Sequence, residues 1–394
     1  MNTFWKKYNR EIKIALVVLA LYILIALVDI LGNDVPRVIV TVLKKGCIYA
    51  LLAVSLNLLN GFTGLFSLGQ AGFMLIGAYT YAILTIPVGA RAGVYYMYGG
   101  GALHFSVPLV VGLLLSGVLP AIFAFLIGLP VLKLKSDYLA IATLGFAEIV
   151  RALVQWQGFA PVTNGSISLN KYPYFKTILP YALVSGFCIL LIVLLIRSTY
   201  GRALKAIRDD EIAAEAMGIN LAHHKMVSFM ISSFFAGIGG ALLAMFQTSL
   251  TATAFTSAMT YEILLMVVIG GIGSVTGSVL ASFLFIACSE WWLRGLDSGT
   301  FLGISAPAIF RSGFRLVVFS VVIMIIVLFF RRGIMGEREL DVDRIGHFFT
   351  RTLPHFITVS VPRFFRVTLP RFFCKTVPSL FGRKCAKSEG EDKQ

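Results

Sequence analysis

Apolar residues fill long stretches of this chain, and polar positions fall between them in short bursts. A helix that crosses a bilayer needs about 20 such residues. At that length the pattern predicts helical spans over 12–31, 46–59, 72–87, 106–130, 138–156, 177–196, 226–247, 260–272, 276–295 and 314–330. The expected fold is all-α, a polytopic transmembrane bundle of about ten spans. The first run follows Lys6, Lys7, Arg10 and Lys13 and ends in Val28-Asp29-Ile30-Leu31 without a small-residue cleavage site. It therefore reads as a retained span rather than a signal peptide. An even number of spans returns the C-terminus to the side of the N-terminus. The basic residues, most heavily those from Arg331 onward, put both termini in the cytoplasm.

Composition strengthens this reading. Of 394 residues, 58% are hydrophobic and 13% charged, about half the charge of a soluble domain. The net charge of +15 could suggest nucleic acid, but its placement in loops and tail fits contact with anionic lipid better. Cys47, Cys188 and Cys288 sit in apolar runs, and Cys374 and Cys385 in the basic tail. No CxxC or Cys/His cluster supports a disulfide framework or a metal site.

Two apolar regions are broken by glycine. Ser55–Gly72 contains Asn57, Asn60, Gly61, Thr63, Gly64, Ser67, Gly69 and Gln70, and Val268–Gly277 contains Gly270, Gly271, Gly273 and Ser274. Each has a G-x-x-G step with a further Gly four or five residues on. Backbone released from helical bonding at membrane depth survives only inside protein or along a wet cavity. Breaks at matching places in two halves point to a transport path. Close helix packing through small residues is the alternative. The polar side chains at 57, 60, 63, 67 and 70 are expected to face the bundle interior, because an unpaired polar group in lipid is costly.

The largest polar loop between spans runs from Arg197 to Lys225. Asp209 is expected to cap a short helix, with Asp210 and Glu211 in its first turn. Ala213, Ala214 and Ala216 favour helix, and Gly218 suits a left-handed stop. Ile212, Ala216 and Ile219 share a face. Such a helix can dock a soluble partner; an ordinary solvated connector is the alternative. Within the spans, Glu148 and Arg151 are spaced for a helical ion pair, as are Glu290 and Arg294. The second pair reads as structural, while Glu148, nearer mid-span, is a candidate for the path. No G-x-x-x-x-G-K-[ST] occurs, so ATP-driven transport would need another chain to supply the ATPase. From 354 to 378 prolines recur every eight residues among Phe and Arg. That pattern forbids a continuous helix and suits either an interfacial membrane contact or a loosely structured tail.

Four ordered blocks then resemble one family. They are S-L-N-L-L-N-G-F-T-G-L-F-S-L-G-Q-A-G-F-M-L-I-G-A-Y (55–79), K-S-D-Y-L-A-I-A-T-L-G-F-A-E-I-V-R (135–151), G-R-A-L-K-A-I-R-D-D-E-I-A-A-E-A-M-G (201–218) and G-G-I-G-S-V-T-G (270–277). They resemble the inner-membrane permeases of branched-chain amino acid ABC importers, the LivM type, over about residues 46–336. The resemblance implies a type II importer-like fold with interrupted helices in a bacterial inner membrane. It implies a homologous permease partner, two cytoplasmic ATPase subunits that bind the ATP, and a periplasmic or lipid-anchored binding protein. The chain itself is then no enzyme, holds no cofactor or metal, and touches lipid but no nucleic acid. Residues 1–336 form the permease domain, and 337–394 a basic cytoplasmic tail with no counterpart in the family. The loop 197–225 becomes the ATPase coupling loop, with Arg202, Arg208, Asp209, Asp210, Glu211, Ala214, Glu215 and Gly218 as its contact residues. The usual downstream I-x-L-P is absent. Relatives of this type also serve urea and short-chain amides. A secondary transporter driven by an ion gradient is the other class, and Glu148 is nearly its sole candidate relay.

Overall fold

The computed structural model describes residues 36–98, 100–132 and 136–292, with isolated positions on either side. All of them belong to one compact unit within residues 17–339. Apart from isolated positions, the expected spans 12–31 and 314–330 lie outside the described residues, as do Arg294 and the tail 337–394.

Every expected segment between 46 and 295 coincides with a helix. These are α1 (Arg37–Asn57, prolonged by a π-helical turn Leu58–Phe62), α2 (Gln70–Thr85), α3 (Val88–Val94), α4 (Leu109–Val131), α5 (Ser136–Gln155), α6 (Leu179–Arg197), α7 (Thr199–Asp209), α8 (Glu211–Ala216), α9 (Leu221–Gln247), α10 (Ser257–Gly270) and α11 (Val275–Ala287). Among the described residues, five helices are long and apolar enough to cross a membrane, and α2 with α3 adds a sixth if that pair, bent by 118°, is one span. The shorter α10 and α11 are equally apolar. A two-residue antiparallel pair, Thr300–Phe301 with Ile304–Ser305, is the one piece of sheet in the described part.

The first of these helices begins nine residues before hydropathy places it, at Arg37. Hydropathy stops there because Lys44 and Lys45 interrupt the apolar run, yet both are spoken for. Lys45 forms an ion pair with Glu290, and Lys44 donates to the Lys176 carbonyl. Glu290 is thus held by another helix; the expected pairing with Arg294 lies outside the described residues.

At the centre stands α9, whose residues are mostly buried. It packs on α1, α2 and α4. With no hydrophobic drive between helices in lipid, close backbone approach supplies the adhesion. Gly77 of α2 meets the Gly237 backbone of α9, and a Cβ on Gly237 would strike the Ser116 carbonyl and Pro120 of α4. Three helices therefore cross at one point where only glycine fits. Outside, α4 turns Val110, Leu114, Val118, Ile122, Leu126 and Leu129 outward, and α6 does the same with Leu183, Phe187, Leu190 and Leu194. These apolar stripes suit contact with lipid or with another apolar helix.

Loops gather at the two ends of the bundle. At the end formed by 86–108, 156–178 and 248–256, the buried Arg91 donates to the carbonyls of Ile83 (3.0 Å), Ile86 (3.3 Å), Leu103 (2.8 Å) and Phe105 (2.6 Å). It satisfies carbonyls left open where α2 stops, at the negative end of the helix dipole. Tyr95 donates to the Val162 carbonyl and Tyr172 to that of Ala244. Burial pushes both phenols up, Tyr95 to about 12, so both remain neutral donors at physiological pH.

Candidate functional site

The other end of the bundle holds both glycine breaks and the loop between α6 and α9. In the first break the chain is non-helical from Thr63 to Gly69. Gln70, which opens α2, donates to the Ser55 hydroxyl (2.8 Å) and the Leu52 carbonyl (3.4 Å). So α2 starts about two turns back along α1, and the extended segment climbs back inside the bundle. Its released backbone groups find side-chain partners. Ser67 N–H donates to Asn60 Oδ1 (3.2 Å), Leu68 N–H to Thr143 Oγ1 (3.1 Å) and Gly69 N–H to Ser67 Oγ (3.4 Å). Thr63 Oγ1 lies 2.6 Å from Ser228 Oγ and donates to the Leu58 carbonyl. This is how non-helical backbone is tolerated at membrane depth.

In the second break α10 ends at Gly270, and Ser274 caps α11 by accepting from Gly277 N–H (3.1 Å). Asn57, fully buried on α1, joins the two breaks. Its Oδ1 accepts from Gly273 N–H (2.9 Å), and its Nδ2 donates to the Ser274 carbonyl (2.9 Å) and Ser278 Oγ (2.8 Å). A Cβ on Gly61 would meet Asn57 Oδ1 and the Gly273 backbone, so glycine is required for the breaks to touch.

Asn57, Thr63, Ser67 and Gln70 are buried, with Gly61, Gly69, Gly270, Gly271 and Ser274, while Asn60 and Gly273 are half-buried and Gly64 faces outward. Asn60 uses its oxygen, but its Nδ2 is buried without a hydrogen-bond partner. These side chains lie inside the bundle as expected, Asn60 only partly, and the breaks are both present and closely packed. Glu148 stands apart. It pairs with Arg151 in the second half of α5 and is half-exposed. Sequence reasoning missed Ser228, Ser232, Thr143, Thr260 and Ser278. Their signal was present as hydroxyls four residues apart, 228 with 232 and 274 with 278, on one face of an apolar helix.

The loop folds as α7 and α8. Leu204 and Ile207 bury one face of α7. Arg208 Nη1 donates to the Gly61 carbonyl (3.1 Å), and Lys205 Nζ lies 5.5 Å over the Phe62 ring. The cap of α8 is Asp210, whose carboxylate accepts from Ile212 and Ala213 N–H, and not Asp209. Asp209 closes α7 and pairs with Arg208 at 2.9 Å, because α7 extends one residue further than the polar run suggests. Ala214 is only 3% exposed and faces inward, so it offers no surface to a partner. Glu211 pairs with Lys225 (2.6 Å), and Arg202, Asp210, Glu215 and Gly218 are exposed. Gly218 takes φ +84° and ends α8. Two large apolar side chains stand fully outward here, Ile212 at 81% and Met217 at 83% exposure.

Apolar helices crossing at glycines, broken twice and sealed by internal hydroxyls and amides, make this an integral membrane protein. The chain belongs to the family described as branched-chain amino acid transport system, permease component, whose model matches residues 38–330. It is 33% identical over 290 residues to the high-affinity branched-chain amino acid transport system permease protein LivM of Escherichia coli (strain K12), covering 65% of this chain and 64% of that protein. The LivM protein of Salmonella typhimurium (strain LT2) is also 33% identical, over 294 residues, with 65% and 64% covered. A probable branched-chain amino acid transport permease protein LivM of Methanocaldococcus jannaschii is 26% identical over 265 residues, covering 61% of this chain and 76% of that protein. The chain thus spans less than two thirds of the length of the first two relatives. No solved structure matches the chain at a significant level.

Proposed function

We propose that this chain is a permease subunit of an ATP-binding cassette importer that carries branched-chain amino acids across a bacterial inner membrane. In this reading residues 1–336 are the permease domain and 337–394 a cytoplasmic tail, with both termini inside. The chain pairs with a homologous permease, rests on two ATPase subunits that bind and hydrolyse ATP, and receives substrate from a periplasmic or lipid-anchored binding protein. It holds no cofactor itself.

The observation that carries the reading is the α7–α8 element. One side is anchored to α1, while the other presents Ile212 and Met217 to solvent with acidic Asp210, Glu211 and Glu215 around them. Exposed apolar side chains ringed by charge suit a protein partner. The outward residues Arg202, Asp210, Glu211, Ile212, Glu215, Met217 and Gly218 supply the contact to the ATPase, with Ile212 and Met217 at its centre. Substrate passes along the polar interior of residues 57–70 and 270–274 and along the Glu148 edge of α5. A charge pair within a span needs protein or water beside it rather than lipid.

The test is uptake in proteoliposomes carrying both permeases, the ATPases and the binding protein. ATP-dependent uptake of labelled leucine, isoleucine and valine supports the reading. Uptake of urea or short-chain amides instead reassigns the substrate. Uptake that follows a proton or sodium gradient without ATP rejects the importer class.

A further inference from the structure

Arg208 does more than end a helix. Its Nη1 reaches the Gly61 carbonyl at 3.1 Å, one of the carbonyls left open as α1 ends, where the helix dipole favours a cation. Its Nε and Nη2 both donate to Asp209 Oδ1, at 3.1 and 2.9 Å. The planar fork is therefore held in one direction from its own side. Two glycines make room for it. A Cβ on Gly64 would lie 3.1 Å from Arg208 Cγ, and a Cβ on Gly273 would lie 3.1 Å from Nη1. Both glycines have positive φ, +76° and +86°. One side chain from α7 thus sits in a notch made by both interrupted segments, and Asn57 already ties those segments together. Beside it Lys205 covers the Phe62 ring.

We propose that Arg208 is a positioning residue that makes the α7–α8 element and the two interrupted segments one mechanical joint. Displacement of the element by a partner is then delivered to residues 61–64 and 273 together. This rests on the reading of 197–225 as the coupling loop. A lysine can reach the same carbonyl but cannot hold the fork against Asp209, so it transmits less. The side chain is turned to the breaks and away from the Ile212–Met217 face, so its loss leaves the docking surface in place.

The experiment uses the complete transporter in liposomes, comparing the unsubstituted chain with Arg208→Ala and Arg208→Lys. Three quantities are read: co-purification with the ATPase, the ratio of stimulated to unstimulated ATP hydrolysis on adding loaded binding protein, and uptake. A fourth is the nucleotide-dependent change in distance between spin labels at the exposed positions 66 and 89. The expected result is full co-purification of Arg208→Ala, a stimulation ratio reduced about tenfold, in the range of ordinary site-to-site couplings, and loss of the distance change. Arg208→Lys should recover part of both. Full stimulation in Arg208→Ala overturns the joint and leaves the importer reading intact. Equal loss of co-purification in both variants also overturns it, since Arg208 is then a structural cap alone. Absence of stimulation in the unsubstituted transporter overturns the importer reading and the joint with it.

Discussion

Replacing Asn57 by leucine removes three hydrogen bonds but does not leave three groups stranded. The Ser274 carbonyl keeps Ser278 Oγ, which donates to it at 2.9 Å, and the Ser278 backbone N–H at 3.2 Å. Ser278 Oγ keeps that same bond. Gly273 N–H, by contrast, loses the acceptor Asn57 Oδ1. A fully buried donor left without an acceptor costs about 1–3 kcal/mol, so the half-buried Gly273 N–H belongs mid-range at about 2 kcal/mol, and each ordinary bond lost costs about 0.5–1.5 kcal/mol. The bonds from Nδ2 belong near the low end, because their acceptors have other donors. Asn57→Leu should therefore cost about 3 kcal/mol, while Ser278→Ala, which leaves Asn57 Nδ2 its bond to Ser274, should cost about 1 kcal/mol. The assay is equilibrium unfolding of the purified chain in mixed micelles by SDS titration, followed by tryptophan fluorescence. The argument fails if Asn57→Leu falls within about 0.5 kcal/mol of the unsubstituted chain, below the smallest single-bond cost. It fails equally if Ser278→Ala matches Asn57→Leu, since the loss would not then follow the acceptor of Gly273.

Arg91→Met should destabilise by about 3 kcal/mol, because carbonyls from α2 and the 103–105 loop lose a charged donor, and protease cleavage between 95 and 108 should accelerate in step. Gly218→Val forces a β-branched residue to φ +84°; it should cost about 1–3 kcal/mol and lower stimulated ATP hydrolysis, checked on the assembled transporter. Truncation after Gly336 should leave uptake unchanged. Truncation after 332 should reduce the yield of folded protein, since Met335 N–H donates to the Gly270 carbonyl (3.2 Å) and Gly333 packs on Gly271.

The spans were legible because burial in lipid demands unbroken apolar length, and that demand is written locally. The breaks were legible for the same reason, as Gly61, Gly64, Gly270 and Gly273 stand in runs that otherwise read as helix. Partners across the bundle were not. Nothing local to Glu290 announces its ion pair with Lys45, far away in the chain. The choice between Asp209 and Asp210 as cap turned on where α7 stops, and that is decided by Leu204 and Ile207 packing inward. Ala214 looked like a docking surface because small residues suit one; they suit internal packing equally, and here they serve it. Arg91 escaped notice because its four acceptors are all backbone carbonyls, which carry no side-chain signature.

The central claim is that the outward face of α8 rests on the ATPase. Photo-crosslinking residues placed one at a time at 212 and 217 in the assembled transporter test it most directly. The account predicts adducts with the ATPase subunit from both positions, lost when the ATPase is stripped from the membrane. Adducts with the binding protein, or with lipid alone, would contradict both the contact and the side of the membrane on which α8 lies.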